Sequence, residues 1–250
     1  MDFADSQVVR YSRQIRLAEI GIAGQKKLAA GSVLVIGAGG LGSPAAMYLA
    51  AAGVGRIGIA DGDAVDLSNL QRQILHSEAD LGRPKVESAA DTLHGINSGV
   101  RIDAHHVLVT LENIAGLVND YDIVLDCTDN FESKFMINDG CVSAGKPFVH
   151  AGIAGFTGQL MTVIPHETSC YRCIFEEPPE AGSVPTCSQT GVLGGTAGVI
   201  GTLQALEAIK FLTGAGELLT GRMLTFDGLT TKFRTVPFPN RREDCPACGN

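Results

Sequence analysis

Residues 31–53, GSVLVIGAGGLGSPAAMYLAAAG, constrain the fold more than any other stretch of this chain. A short β-branched run, SVLVIG, meets a glycine-rich turn and passes at once into an alanine-rich helical pattern. Gly37-Ala38-Gly39-Gly40-Leu41-Gly42 matches G-x-G-x-x-G in that context, between strand and helix. Glycines there let the backbone turn tightly and approach a phosphate, and the helix start offers N–H groups and a partial positive charge. Asp61 closes the next apolar run, nineteen residues beyond Gly42, where a carboxylate can accept hydrogen bonds from ribose hydroxyls. A nucleotide site is expected, and at this point NAD and ATP remain equally open.

The same alternation continues. Strand-like runs at 56–61, 101–109, 122–127 and 147–152 are separated by helical patterns such as PKVESAADTLHGI and FESKFMINDGCVSAG. Such alternation predicts an α/β, Rossmann-like, doubly wound and mostly parallel sheet. Gly53 and Gly145 stand where helices stop, and Pro84 where one starts. Residues 1–30 carry helical spacing and form an N-terminal helical extension. After Gly152, GQLMTVIP, RMLTFDG and KFRTVPF predict an antiparallel C-terminal extension of the sheet. The stretch EEPPEAGSVPTCSQTG lacks periodicity and reads as a mobile loop. One domain spanning 1–250 is expected, with a nucleotide-binding half at about 31–152 and a second half at about 153–250.

Composition narrows the function classes. Among 250 residues, 45% are apolar and 18% charged, which suits a globular enzyme and not a disordered chain. A net charge of −8 argues against general nucleic-acid binding, which needs a basic face. The most apolar stretch, 192–212, is broken by Gln204, Glu207, Lys210 and glycines, so no membrane span is expected. MDFADSQVVRYSRQ carries no apolar secretory core, and a cytoplasmic location is the expectation.

Within this acidic chain, GDAVDLSNLQRQILHSEADLGRPKVESA brings Asn69, Gln71, Arg72 and Lys85 together. Those donors suit a triphosphate better than a dinucleotide, which needs little beyond the helix start; an ordinary solvated loop is the alternative. In DIVLDCTDNFESK, Asp129 is a candidate Mg²⁺ ligand beside that triphosphate, or else it or Asn130 caps the helix starting near Phe131. Asp126 reads as structural. His76 is read as a capping or packing residue, and His105-His106 as one side chain inward and one outward.

Cys170-x-x-Cys173 and Cys245-x-x-Cys248 can each clasp one edge of a tetrahedral ion, and together predict a structural Zn²⁺ site. A redox pair is the alternative, but neither pair sits in a βαβ context. Cys127 and Cys141 read as core. Cys187 stands alone in the unpatterned loop, where a thiol could attack an activated acyl group.

RYSRQI, GAGGLG, DLSNLQRQILH, GRPKVESA, LDCTDN, CYRC and CPACG occur in this order from Arg10 to Gly249. In that combination the chain resembles the bacterial ThiF/MoeB/HesA family, relatives of the ubiquitin-activating enzymes. The resemblance implies a homodimer that uses Mg-ATP to adenylylate the C-terminal glycine carboxylate of a ubiquitin-like sulfur-carrier protein ending in Gly-Gly. It implies thiamine or molybdopterin biosynthesis, with the ThiF type slightly favoured over the MoeB type. It assigns Gly40 to the phosphate loop, Asp61 to the ribose, and Ser68, Asn69, Leu70, Gln71 and Arg72 to the wall of the ATP site. Lys85 is assigned to the phosphates, Asp129 and Asn130 complete the site, and Arg13 reaches the partner subunit's site. Cys187 matches a cysteine that some members link covalently to the carrier, and AGFTGQLM (154–161) suits a channel for the Gly-Gly tail. With no sulfurtransferase domain expected after Cys248, a separate sulfur donor is implied. An NAD(P)-dependent oxidoreductase leaves Arg72, Lys85 and Asp129 without a task. A non-catalytic scaffold leaves their joint retention unexplained.

Overall fold

The computed structural model describes residues 3–180, 183, 190–238 and 240–249. Eight strands form one sheet: β1 (Ser32–Ile36), β2 (Arg56–Ala60), β3 (Arg101–His105), β4 (Ile123–Asp126), β5 (Phe148–Ala154), β6 (Thr157–Val163), β7 (Arg222–Asp227) and β8 (Lys232–Pro237). Their order is β3-β2-β1-β4-β5-β6-β7-β8, parallel from β3 to β5 and antiparallel from β5 to β8.

β1, β2 and β4 are apolar at nearly every position because helices cover both faces of the sheet. The period-two pleat then sorts side chains by parity. Val33, Val35, Ile57, Ile59, Ile123 and Leu125 join one core, and Leu34, Ile36 and Val124 join the other. The first core is closed by α2 (Gly21–Ala30), α3 (Gly42–Ala52), α4 (Lys85–Ile96) and α8 (Gly194–Thr213). The second is closed by α5 (Ile114–Asn119), α6 (Phe131–Ser143) and α7 (Tyr171–Ile174), with Cys245 and Cys248 beside them.

The N-terminal extension folds as α1 (Asp5–Ile15) followed by α2. Tyr11 anchors α1: it is buried, and its hydroxyl accepts from Asn97 Nδ2 at 2.8 Å. Gly53 ends α3 in the left-handed region at φ +82°, and a Cβ there would lie 2.5 Å from the Tyr11 ring and hydroxyl. Stopping the helix and admitting the tyrosine both demand glycine.

One expected strand is shorter than its apolar pattern. The run 101–109 leaves the sheet at His105, opposite Ala60, where its neighbour β2 ends. Val107 N then turns back to His105 O at 2.8 Å, and Val107, Leu108 and Val109 cross above the C-terminal ends of the strands. His105 is half-buried against the Tyr121 hydroxyl and His106 is exposed. Among the described residues no helix is long and apolar enough to cross a membrane.

Candidate functional site

The parallel strands run out toward a common edge, and the connections reverse direction between β1 and β4. That is where an open α/β sheet leaves a crevice. A cavity of about 480 Å³ lies there, walled by the loops after β1, β2 and β4.

The glycine loop forms its floor. Gly37 has φ +99°, and a Cβ on Gly42 would lie 1.9 Å from Gly37 O. These two glycines are therefore required by the loop's own closure. Gly39 has only Gln73 Nε2 near its open side, at 3.5 Å, and Gly40 sits against the Arg72 stem. His76 holds the loop from beneath, with Nε2 3.0 Å from Ala38 O and Nδ1 2.9 Å from Ser88 Oγ. A carbonyl only accepts, so Nε2 carries the hydrogen and Nδ1 accepts the serine hydroxyl. Burial draws the His76 pKa below its ordinary value and keeps the ring neutral.

Asp61 lines the cavity with both oxygens already engaged: Oδ2 accepts from Ala38 N and Oδ1 from Asp63 N, each at 2.8 Å. One lone pair per oxygen remains for a ligand.

The segment after β2 is only partly what its pattern suggests. Ser68, Gln71 and Arg72 line the cavity, whereas Asn69 and Leu70 do not. Leu67–Asn69 is a single 3₁₀ turn capped by Asp66, whose Oδ1 accepts from Ser68 N and Ser68 Oγ. With three residues per turn, five successive residues cannot all face one wall. Asn69 acts through its neighbour instead: its Oδ1 accepts from Arg72 Nη2 at 2.9 Å, and Ser68 O accepts from Nη1 at 3.2 Å. Those two bonds aim the guanidinium at the cavity.

Lys85 begins α4, directly after Pro84, and is buried at 5% exposure. Its Nζ pairs with Asp63 Oδ2 at 2.8 Å, and both residues line the cavity. Asn130 N-caps α6, its Oδ1 accepting from Ser133 N at 2.8 Å. With the cap supplied by Asn130, the exposed Asp129 carboxylate has no hydrogen-bond partner among the described residues and stands at the rim. Arg13 lies exposed on the last turn of α1 and does not line the cavity of its own chain.

A second cavity of about 560 Å³ opens beside the first, and the two share Thr128, Asp129, Asn130 and Ile153. Ala154, Thr157, Gly158 and Gln159 line it, with Lys232 and Arg234 of β8 at its outer end. Gly158 lines this cavity, and packing against α8 also demands glycine there. A Cβ there would meet Ile200 Cγ1 of α8 at 2.3 Å.

Sequence reasoning overlooked Asp63, Gln73 and the Val107–Val109 crossing. Asp63 carried a legible signal, an acid two residues past Asp61, but its pairing with Lys85 spans twenty-two residues. Gln73 is 4% exposed, and its Oε1 has no partner among the described residues.

The four cysteines Cys170, Cys173, Cys245 and Cys248 converge, with all sulfurs within 4.8 Å of one another. Neighbouring sulfurs lie 3.4, 3.6 and 3.9 Å apart. Zn–S bonds of about 2.3 Å in a tetrahedron place sulfurs roughly 3.8 Å apart, so the cluster is compatible with zinc. Backbone N–H groups of Cys248 and Ala247 draw the Cys245 thiol down to about 7 against the opposing effect of burial. Cys127 and Cys141 are buried, and burial pushes both thiols up. Cys187 lies outside the described residues.

A family model, that of the ThiF family, matches residues 11–247. The chain belongs to the ThiF family. It is 51% identical over 243 residues to the adenylyltransferase and sulfurtransferase MOCS3-1 of Zea mays, covering 97% of this chain and 52% of that protein. It is 48% identical over 244 residues to MOCS3 of Mus musculus, covering 97% and 53%. The chain thus spans about half the length of the curated relatives it matches. Among solved structures it is similar to E. coli MccB with ATP, at 25% identity and a TM-score of 0.85 over 96% of this chain and 75% of that one.

Proposed function

We propose that this chain is an ATP-dependent adenylyltransferase that activates the C-terminal glycine carboxylate of a ubiquitin-like sulfur-carrier protein. The observation that carries the reading is the junction of the two cavities at Asp129, with Lys85 and Arg72 on the nucleotide side of it. Relatives named adenylyltransferase and sulfurtransferase, and a structural neighbour crystallised with ATP, support it.

The first cavity takes ATP. Asp61 accepts from ribose hydroxyls through its free lone pairs, and the Gly39–Gly40 backbone meets the phosphates at the start of α3. Arg72 and Lys85 neutralise the phosphate oxygens, with Lys85 exchanging Asp63 for phosphate. A Mg²⁺ ion held by Asp129 would supply further charge neutralisation on the leaving pyrophosphate. The second cavity takes the extended Gly-Gly tail. The carrier carboxylate is ionised at neutral pH, so no general base is required. One carboxylate oxygen attacks the α-phosphorus, the bond to the bridging oxygen breaks, and pyrophosphate leaves with its electron pair. Two anions must be brought together for this, so positioning and cations are the catalytic equipment.

Arg13 acts in the site of a second subunit of a homodimer, the four thiolates hold a structural Zn²⁺, and Cys187 is the nucleophile for a covalent link to the carrier. A sulfur donor completes thiocarboxylate formation.

ATP–pyrophosphate exchange with Mg²⁺ and individual Gly-Gly-ending carriers tests the reading. Exchange that depends on one carrier is the expected result and names the pathway. ATP binding without exchange for any carrier overturns it.

A further inference from the structure

Lys134 is a buried cation that the reaction above does not use. It projects from the first turn of α6, and its side chain is 7% exposed. Nζ lies 2.8 Å from Thr128 O, 2.5 Å from Ala151 O and 3.2 Å from Asp126 Oδ2. An ammonium has three N–H donors, and three protein groups take them. Lys134 borders the second cavity, yet it has no donor left for a phosphate or a carboxylate.

Its two carbonyl acceptors lie in different segments, the loop after β4 and strand β5. Thr128 directly precedes Asp129 in the loop after β4. Ala151 lies in β5, directly before Gly152, Ile153 and Ala154, which line the second cavity. The counter-charge is equally fixed. Asp126 accepts from His150 Nδ1 at 2.9 Å and from Thr128 Oγ1 at 2.6 Å. Burial alone would raise the Asp126 pKa, but Lys134 and His150 reverse this and hold it well below the usual carboxylate range. His150 packs in turn on Tyr171 at 4.3 Å between ring centroids, and Tyr171 also borders the second cavity.

We infer that Lys134 is a positioning residue: by tying the Thr128 and Ala151 carbonyls together, it sets the Asp129 carboxylate at the junction of the two cavities and so governs metal-assisted nucleotide binding. This rests on the reading of the first cavity as a Mg-ATP site.

The test is calorimetric titration of ATP into the full chain, with and without Mg²⁺, for wild type, Lys134→Met and Lys134→Arg. Wild type is expected to bind Mg-ATP about fivefold or more tightly than ATP alone. Lys134→Met is expected to bind metal-free ATP like wild type but to lose the Mg²⁺-dependent tightening. Lys134→Arg keeps the charge and donors and is expected to restore most of it. If the methionine variant does not fold, Lys134→Gln, which keeps two donors, is read in its place. A folded Met or Gln variant with a lowered melting temperature and unchanged Mg²⁺ tightening overturns the inference and leaves Lys134 a purely structural residue. If wild type itself shows no Mg²⁺-dependent ATP binding, the functional reading fails and the inference with it.

Discussion

Arg72 and Asp129 contribute to the proposed reaction in opposite ways, and neither is needed for the fold. Arg72 is aimed by Ser68 O and Asn69 Oδ1, whereas Asp129 has no hydrogen-bond partner among the described residues and sits at the solvent rim. Replacing either by alanine is expected to cut carrier-dependent exchange by roughly 100-fold or more, as for loss of a charged group at a developing anion. The melting temperature should move little. Asn69→Ala should give a milder loss that appears chiefly in the KM for ATP, because it frees the guanidinium without removing it. Steady-state exchange kinetics beside thermal unfolding separate these outcomes. Gly42 is the contrasting case. A Cβ 1.9 Å from Gly37 O cannot be relieved by a side-chain rotation, so Gly42→Ala is expected to destabilise by about 3 kcal/mol or more. Denaturant unfolding measures that directly.

At the scale of elements, the loop after β1 depends on a histidine twelve residues before its partner Ser88 on α4. The unfolded His76 titrates near 6.5, and its folded value lies below that. Between the two values the unfolded chain binds more protons, so stability falls as pH drops below about 6.5. His76→Gln keeps a donor for Ala38 O but cannot titrate. Its melting temperature should decline less steeply between neutral and mildly acid pH than that of wild type, and equal slopes would remove His76 from the account. The crossing Val107–Val109 has its own clamp: Asn113 Nδ2 donates to Leu108 O, and Asn113 Oδ1 accepts from Thr110 N, both at 2.8 Å. That clamp holds the crossing over the first cavity.

At the scale of the whole molecule, the cysteine cluster brings residues 245–248 back onto α7 within the second half, and in the proposed reaction Arg13 joins two copies. Cys170 and Cys173 bracket the start of α7, while Cys245 and Cys248 lie in the last residues of the chain, seventy-five positions away. About one zinc per chain is expected from the four-thiolate count. Its removal by a chelator should lower the melting temperature and expose the segment beyond Pro237 to proteolysis; metal analysis that finds no zinc in freshly purified protein refutes the site. For the shared site, mixing Arg13→Ala with Arg72→Ala subunits is decisive. Random pairing makes half the dimers mixed, each with one intact site, so exchange should recover to about a quarter of wild type. No recovery from two inactive variants that exchange subunits would place Arg13 outside the partner's site.

Much of the architecture was legible because its causes are local. A buried parallel strand needs a continuous apolar run, a helix needs its own period, and a strand–glycine–helix turn needs glycine where backbone meets backbone, as at Gly37 and Gly42. Those requirements are written within a few residues, as is the ladder of apolar runs that became β1 to β5. The convergence of the cysteine pairs was legible for a related reason, since each C-x-x-C is itself a four-residue motif. Other features were decided only in three dimensions. Asn69 and Leu70 fell off the wall because a 3₁₀ turn rotated them away. Residues 106–109 left the sheet because β2 had ended and offered no further partner. Asn130 took the cap and freed Asp129, a choice that hung on the exact start of α6. Lys134 carried no signal at all, because its meaning lies in carbonyls of Thr128 and Ala151, which every residue possesses. Backbone acceptors are invisible in a sequence, and only packing shows which of them a buried charge will find.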